Sequence, residues 1–383
     1  MAQHGIILLL VGPLVPNLMQ TFGIGESMAG LLLGVGSLGF VVGPLFAGAL
    51  IDRINVRAAL IVGLLIEVAV LGLFGISPVF VLAVAANFFV RLGSSFVETS
   101  ANVMPALTQS RRPAHAVMNL VHMFFSVGAF VGPFLIGLYL QATGEWRPIM
   151  FFALVPTGAL LLWAALTRFP ERPGRPTGGD VRLSPRAASE RAKPFAHVGA
   201  VIRQRYVLLG ALTLMLYVGA EVGISSWVVH YLQRELGLSA VASASGLSIL
   251  WIFIMLGRLA NSMLGNRFTS GMLVTISGIA GAIGIVLFLF ARSVASAYPL
   301  LAWVGLCLSG VFPNVMGELN RHDPERIGTV TAVMAMGAAS GAGLFQWLVG
   351  FLAETVSLTA AFVTPAVLQV LFVVTFRAAA RSR

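Results

Sequence analysis

The chain is short of charge and of cysteine. Only 10% of its 383 residues are Asp, Glu, Lys or Arg, against 58% hydrophobic residues. Soluble domains carry about 25% charged residues, so a large soluble protein is excluded and a membrane protein is the natural class. The single cysteine, Cys307, lies in an apolar run, so no intrachain disulfide can form. No HExxH, paired Asp or nucleophile-base set is present, which argues against an intramembrane enzyme. The Gly-rich stretch 336–343, "MGAASGAG", has no strand before it and reads as close helix packing or a flexible gating helix, not a phosphate loop. ATP drive, a metal and any other cofactor are therefore not expected.

Long apolar runs are what the sequence does have. About 20 apolar residues cross a bilayer as a helix. Twelve such runs are expected: 5–22, 28–51, 58–76, 79–106, 115–140, 148–168, 205–232, 241–264, 270–291, 297–319, 329–353 and 358–376. The third and fourth are parted only by Ser77-Pro78. The first run ends in "MQTFG", not at a small-residue cleavage site, and begins so close to Met1 that a start further upstream is expected. An all-α membrane protein of two six-helix bundles follows, residues 1–168 and 204–383, with 169–203 as a polar, Pro-, Gly- and Arg-rich linker.

The net charge of +10 is distributed, not clustered. With both termini in the cytoplasm, 19 of the 24 basic residues fall on the inside, and the outer loops hold only Arg147, Arg234 and Arg292. That asymmetry is a positive-inside signal, not a nucleic-acid surface. The expected partners are the bilayer, a small solute and protons. A monomer in the bacterial plasma membrane is the expected form.

The two halves resemble each other at an offset near 213. "GPLFAGALIDR" (43–53) pairs with "GRLANSMLGNR" (257–267), "ANVMPAL" (101–107) with "PNVMGEL" (313–319), and "GAFVGPFLIGL" (128–138) with "GAGLFQWLVGF" (341–351). Parallel repeats of this kind place a substrate site between the halves near the midplane.

Away from the ends of the runs lie five informative charges: Glu67, Glu98, Glu221, Arg91 and Arg258. An ionisable group at membrane depth costs about 2.5–3.5 kcal/mol or more and marks a functional site by default. Glu98 on the fourth run and His122 on the fifth come to similar depth. A polar patch of Arg91, Glu98 and Asn102 facing Asn119, His122 and Ser126 is expected, poising Glu98 for reversible protonation. A static pair that fixes helix packing is the competing reading. Glu221, between Gly219 and Gly223, is a candidate for substrate hydroxyls or a cation, or a structural hydrogen bond. Glu67 is expected to be structural. Arg258 and Glu318 lie toward the inner ends of their helices and are expected to pair in an inner gate. Asn17, Asn102, Asn119, Trp227, Trp251, Asn314 and Gln346 are candidate substrate contacts, although packing competes for each tryptophan and helix-to-helix bonding for each amide.

"GALIDRINVR", residues 48–57, resembles the loop motif of the major facilitator superfamily, Gly-x-Leu-x-Asp-Arg-x-Gly-Arg-Arg, at Gly48, Leu50, Asp52, Arg53 and Arg57. The resemblance implies the twelve-helix fold of that superfamily, covers essentially the whole chain, and implies a gate at Asp52, Arg53 and Arg57, with Asp52 at a helix N-terminus of the other half. Asn55 and Val56 depart from the motif and are expected to weaken the turn, and Asn266 replaces the Asp in the second half. "ETSAN" (98–102), "YVGAEVGISSW" (217–227), "HMFFSVGAFVGP" (122–133) and "FPNVMG" resemble helices four, seven, five and ten of the fucose permease group of proton-linked sugar carriers. That implies proton symport with Glu98 as the protonatable carboxyl. Where the fucose carrier has a helix-one Asp, Gly12 stands here, so a broader sugar or non-sugar solute stays open. A proton-driven exporter of a hydrophobic or cationic compound also stays open, because Arg91 falls where exporters of the superfamily often carry an Arg.

Overall fold

The computed structural model describes residues 1–107, 114–167, 169, 203–264, 269–320 and 327–382. Among the described residues there is no strand, and twelve spans are long and apolar enough to cross a bilayer. We number them α1 to α12. Eight are single helices: α2 (Glu26–Arg53), α3 (Val56–Gly75), α4 (Phe80–Leu107), α5 (Ala114–Thr143), α6 (Arg147–Leu166), α7 (Arg205–Leu236), α8 (Ala240–Leu264) and α9 (Ser270–Phe288). A ninth, α11 (Ile327–Thr355), is also continuous. Three are interrupted: α1 (Ala2–Phe22), α10 (Val294–Leu319) and α12 (Leu358–Arg381). Apart from residues 169 and 203, the expected linker lies outside the described residues, as do Arg111, Arg112, Asn266, Arg267, Arg321 and Arg326.

The spans fall within a few residues of the runs read from the sequence, including the cut at Ser77-Pro78, where α3 ends at Gly75 and α4 begins at Phe80. The interruptions were not legible as such. In α1, helix Ala2–Leu8 gives way to a 3-10 turn at Gly12–Leu14 before helix resumes at Val15. Pro13 and Pro16 sit in the first turns of the two later segments, where a residue without an N–H is tolerated. Gly12 packs against the main chain of Ser225 and Ser226 on α7, a contact that only a residue without a side chain allows comfortably. In α10 the helix stops at Leu308 and restarts at Val311. Pro313 cannot donate to the carbonyl of Ser309. Carbonyls around the break take side-chain donors: Asn314 Nδ2 donates to Gly310 O at 2.7 Å, and Tyr217 Oη on α7 donates to Leu308 O at 2.8 Å.

The loop motif also builds differently from expectation. Asn55 does not weaken the turn. Its side chain caps α3 by accepting from Ala58 N at 2.8 Å, satisfying one of the orphan donors of a helix start. Val56 is buried against Ala47, Ile51, Ala59 and Phe96.

Within the first six helices α2 packs on α4, α3 on α4 and α6, and α1 on α5. Within the last six, α7 packs on α11 and α12, α8 on α10, and α9 on α10 and α12. Two broad contacts join the bundles, α2 with α11 and α5 with α8. Small residues make them close. Gly34 of α2 meets Gly343 of α11, Gly30 meets the main chain of Gln346 and Trp347, and Gly137 of α5 meets Ala240 and Ala244 of α8. Interfaces in membranes rely on such close approach because lipid supplies no hydrophobic drive between helices. The α2 stripe is closed from Glu26 to Ser37. Further along, a side chain at Gly48 would meet open space. Among the described residues the α2–α11 contacts therefore gather at the end bearing Glu26 and Glu354, and they leave a cleft between the bundles toward the end bearing Arg53, Arg377 and Arg381.

Candidate functional site

The cleft is flanked by α1, α4 and α5 of the first bundle and α7 and α8 of the second. The helical period brings Glu98 to its wall, with the side chain 35% exposed. The group facing it is His4 of α1, with Nε2 3.7 Å from Glu98 Oε2. His4 is 1% exposed and held between the rings of Phe40 and Phe125, at centroid distances of 6.0 and 5.5 Å. His122 on α5 lies within electrostatic reach of Glu98, His4 and Arg258. Asn102, one turn along α4, is half-buried, and its Oδ1 has no hydrogen-bond partner.

Across the cleft Glu221 is buried on α7. Arg258 of α8 places Nη2 3.8 Å from Glu221 Oε1, and its Nη1 donates to Ser126 Oγ of α5 at 3.4 Å. Arg258 thus touches both bundles. Trp251, two turns along α8, packs edge-on against Phe125 at 5.5 Å, and its Nε1 has no partner. Two carboxyl groups therefore share one cleft with different counter-groups. Glu98 faces the imidazole of His4. Glu221 faces the guanidinium of Arg258.

Several residues expected here are elsewhere. Arg91 is turned toward α2, where Gly36 and Gly39 pack against it, and its Nε is buried without a partner. Its rotation on α4 separates it from Glu98, whose described ionic neighbour is His4. Asn17 donates to Gly144 O at 3.2 Å, tying α1 to the turn after α5 at the far end of the bundle. Trp227 is fully buried and donates to Gln346 O at 3.0 Å, while Gln346 Oε1 accepts from Ser37 Oγ at 3.3 Å. Both belong to the closed α2–α7–α11 seam. Trp347 stacks on Phe351. Asn314 is spent on the α10 break.

The gate candidates divide as well. Arg57 Nε donates to Ala164 O at 2.9 Å and its guanidinium also bonds Ala165 O, so it serves the C-terminal carbonyls of α6 within its own bundle. Arg53 is exposed. Arg258 is engaged with Glu221 and Ser126, and Glu318 lies half-buried on the second segment of α10. The side chains of Asp52 and Asn119 lie outside the described residues.

Two clusters were missed. Glu67 is fully buried, accepting from Gln3 Nε2 at 2.7 Å and Ser94 Oγ at 2.5 Å, while Gln3 also donates to Thr157 at 3.0 Å. This knot ties α1, α3, α4 and α6, in keeping with a structural role. At the closed end Glu26 bonds Arg234 and lies 3.5 Å from His230, both on α7, and Glu354 of α11 accepts from Ser27 N at 2.7 Å. The signal for Glu26 was faint: an acid at the first turn of α2 reads as a loop residue until α7 is packed on it.

Two six-helix groups around a cleft open at one end, with ionisable groups at membrane depth, define a secondary transporter. The family model of the Major Facilitator Superfamily matches residues 4–346. The chain belongs to that superfamily, an integral membrane transporter and not an enzyme. It is 24% identical over 381 residues to a glucose/galactose transporter of Brucella abortus biovar 1, covering 94% of this chain and 87% of the relative. It is 22% identical over 377 residues to the L-fucose-proton symporter of Escherichia coli, covering 89% and 82%. Among solved structures, a bacterial homologue of the human lysosomal transporter Spinster superimposes with a TM-score of 0.80 at 15% identity, covering 100% of this chain and 95% of that one.

Proposed function

We propose that the protein is a proton-coupled symporter of a small polar solute, a sugar by its similarity to the glucose/galactose and fucose-proton carriers, working by alternating access. The basic end faces the cytoplasm, in the plasma membrane of a bacterium, and the chain acts as a monomer. One observation carries the reading: of the two cleft carboxyl groups, Glu98 is the one that faces an imidazole and has a partly exposed side chain. Burying an unpaired charge on moving from one open form to the other is costly. A neutral, protonated Glu98 crosses that barrier more easily than a carboxylate. His4 stabilises the carboxylate when the site is open. His122, close to both, tunes the exchange. Glu221, Arg258, Asn102 and Trp251 supply acceptors, donors and an aromatic face for a hydroxyl-bearing ring.

With the basic end inside, the contacts of Glu26, Arg234 and Glu354 at the far end support reading this as the inward-open form. The export reading drew on the position of Arg91 along α4; Arg91 packs on α2, which leaves symport the better supported of the two. The test is reconstitution in liposomes with a panel of sugars. Adding the transported sugar outside is expected to acidify the lumen. Glu98→Gln is expected to lose concentrative uptake while keeping exchange of labelled for unlabelled sugar. Concentration by Glu98→Gln to the parent's level would reject the coupling role.

A further inference from the structure

Away from the cleft, α9 and α12 leave a groove of about 530 Å³ at the basic end. Its rim is built from Thr269 and Thr275 of α9 and Arg377 and Arg381 of α12, and its floor from Ile276 and Phe376. Arg377 and Arg381 are one helical turn apart and exposed. Arg377 is anchored: its Nε donates to Thr275 Oγ1 at 3.1 Å, which leaves both Nη groups for another partner. None of the described ion pairs involves either arginine. The rim also contains the first turn of α9, whose N-cap is Thr269. A side chain at Gly271 would meet open space, so none of the described residues covers that position of the turn. Helix starts favour anions.

The apolar surface continues below this rim. Ile276, Ile279 and Ile283 follow one another down a single face of α9, 52%, 50% and 54% exposed. Val374, Val370 and Val367 do the same below Arg377 on α12, 60%, 49% and 48% exposed. Cations at the head and an aliphatic furrow beneath are the shape of a phospholipid, and basic pockets between membrane helices bind anionic headgroups. A soluble phosphate would leave the furrow unused.

We propose that this groove is a binding site for an anionic phospholipid, with its phosphate at Arg377, Arg381 and the first turn of α9, and its acyl chains along Ile276, Ile279 and Val374. The site is separate from the transport cleft and does not depend on what the cleft carries.

The experiment uses the full chain in nanodiscs or detergent with phosphatidylglycerol or phosphatidylcholine, scoring retained lipid by native mass spectrometry and thermal stability in parallel. The parent is expected to retain phosphatidylglycerol selectively. Arg377→Gln with Arg381→Gln is expected to lose that selectivity by about fivefold per arginine removed. Should the double variant fold poorly, Met272→Trp with Ile276→Trp fills the groove through two exposed positions with both charges kept, and the same loss is expected. Selectivity unchanged in the arginine variant, or in the filled groove, overturns the proposal. So does full stabilisation by soluble glycerol phosphate, which would make this a site for a free anion.

Discussion

The two bundles solve the same problem in opposite ways. At the offset of about 213, Glu221 on α7 corresponds to Leu8 on α1, and by the pairing of 101–107 with 313–319 Glu98 on α4 corresponds to Gly310 on α10. Leu8 is the last residue before the α1 interruption, and Gly310 lies within that of α10. Each bundle thus has a carboxyl on one of two equivalent helices and a broken helix at the other. A break at membrane depth frees backbone groups that must be paired within the protein. A carboxyl there needs a counter-group. The α10 break takes the Tyr217 hydroxyl from α7, and the α1 break lets Gly12 seat on α7 beside Ser225. Helix α7 supports both breaks and also carries Glu221. Repeats that diverge this way keep the fold symmetric while dividing the chemistry: a histidine opposes the first bundle's acid, an arginine the second's.

The strongest way to break that comparison is to neutralise each acid in turn. Glu98→Gln is expected to lower the accumulation ratio to equilibrium. Glu221→Gln is expected to keep accumulation and raise the half-saturation concentration about tenfold, in line with a lost charge-assisted hydrogen bond of about 1.5 kcal/mol. If both variants change the same parameter, the two acids do not differ in role. Next in size is the seal at the closed end. Arg234→Ala leaves Glu26, 9% exposed at its side chain, with His230 as its remaining described ionic neighbour. The outward-open population is expected to rise about tenfold, the equivalent of about 1.4 kcal/mol. Spin labels at Ile24 and Val356, in a background with Cys307 replaced by Ser, would report it as a longer distance. An unchanged distance distribution would mean the seal does not hold the end shut. The smallest effect separates packing from binding. Asn17→Ala and Asn314→Ala are each expected to cost about 1 kcal/mol of stability, with half-saturation unchanged for Asn17→Ala.

How the site was read from sequence follows the same division. Glu98, His122, Glu221, Trp251 and Arg258 could be picked out because charges and tryptophans within apolar runs are few, and four of these five are charged or titratable. Their partners could not. His4 lies 94 positions from Glu98, and Arg258 was assigned to Glu318 because both sit toward inner helix ends. Depth along a helix is countable at 1.5 Å per residue. Rotation about the helix axis is not, and rotation is what sends Arg91 to α2, Trp227 and Gln346 to the closed seam, and Asn17 to Gly144. Glu67 shows the converse: an acid expected to be structural is completely enclosed, with Gln3 and Ser94 donating to it from two other helices and Thr157 of a third holding Gln3.

By itself the sequence determined the number of crossings, the near-repeat of the two halves and the presence of acids at membrane depth, because the bilayer demands long apolar runs and makes any charge in them conspicuous. Tertiary structure alone decided which counter-group each acid meets, where α1 and α10 break, and which end of the cleft is shut. Those outcomes depend on side chains from distant helices meeting at a few ångströms, and no local pattern along the chain encodes that distance.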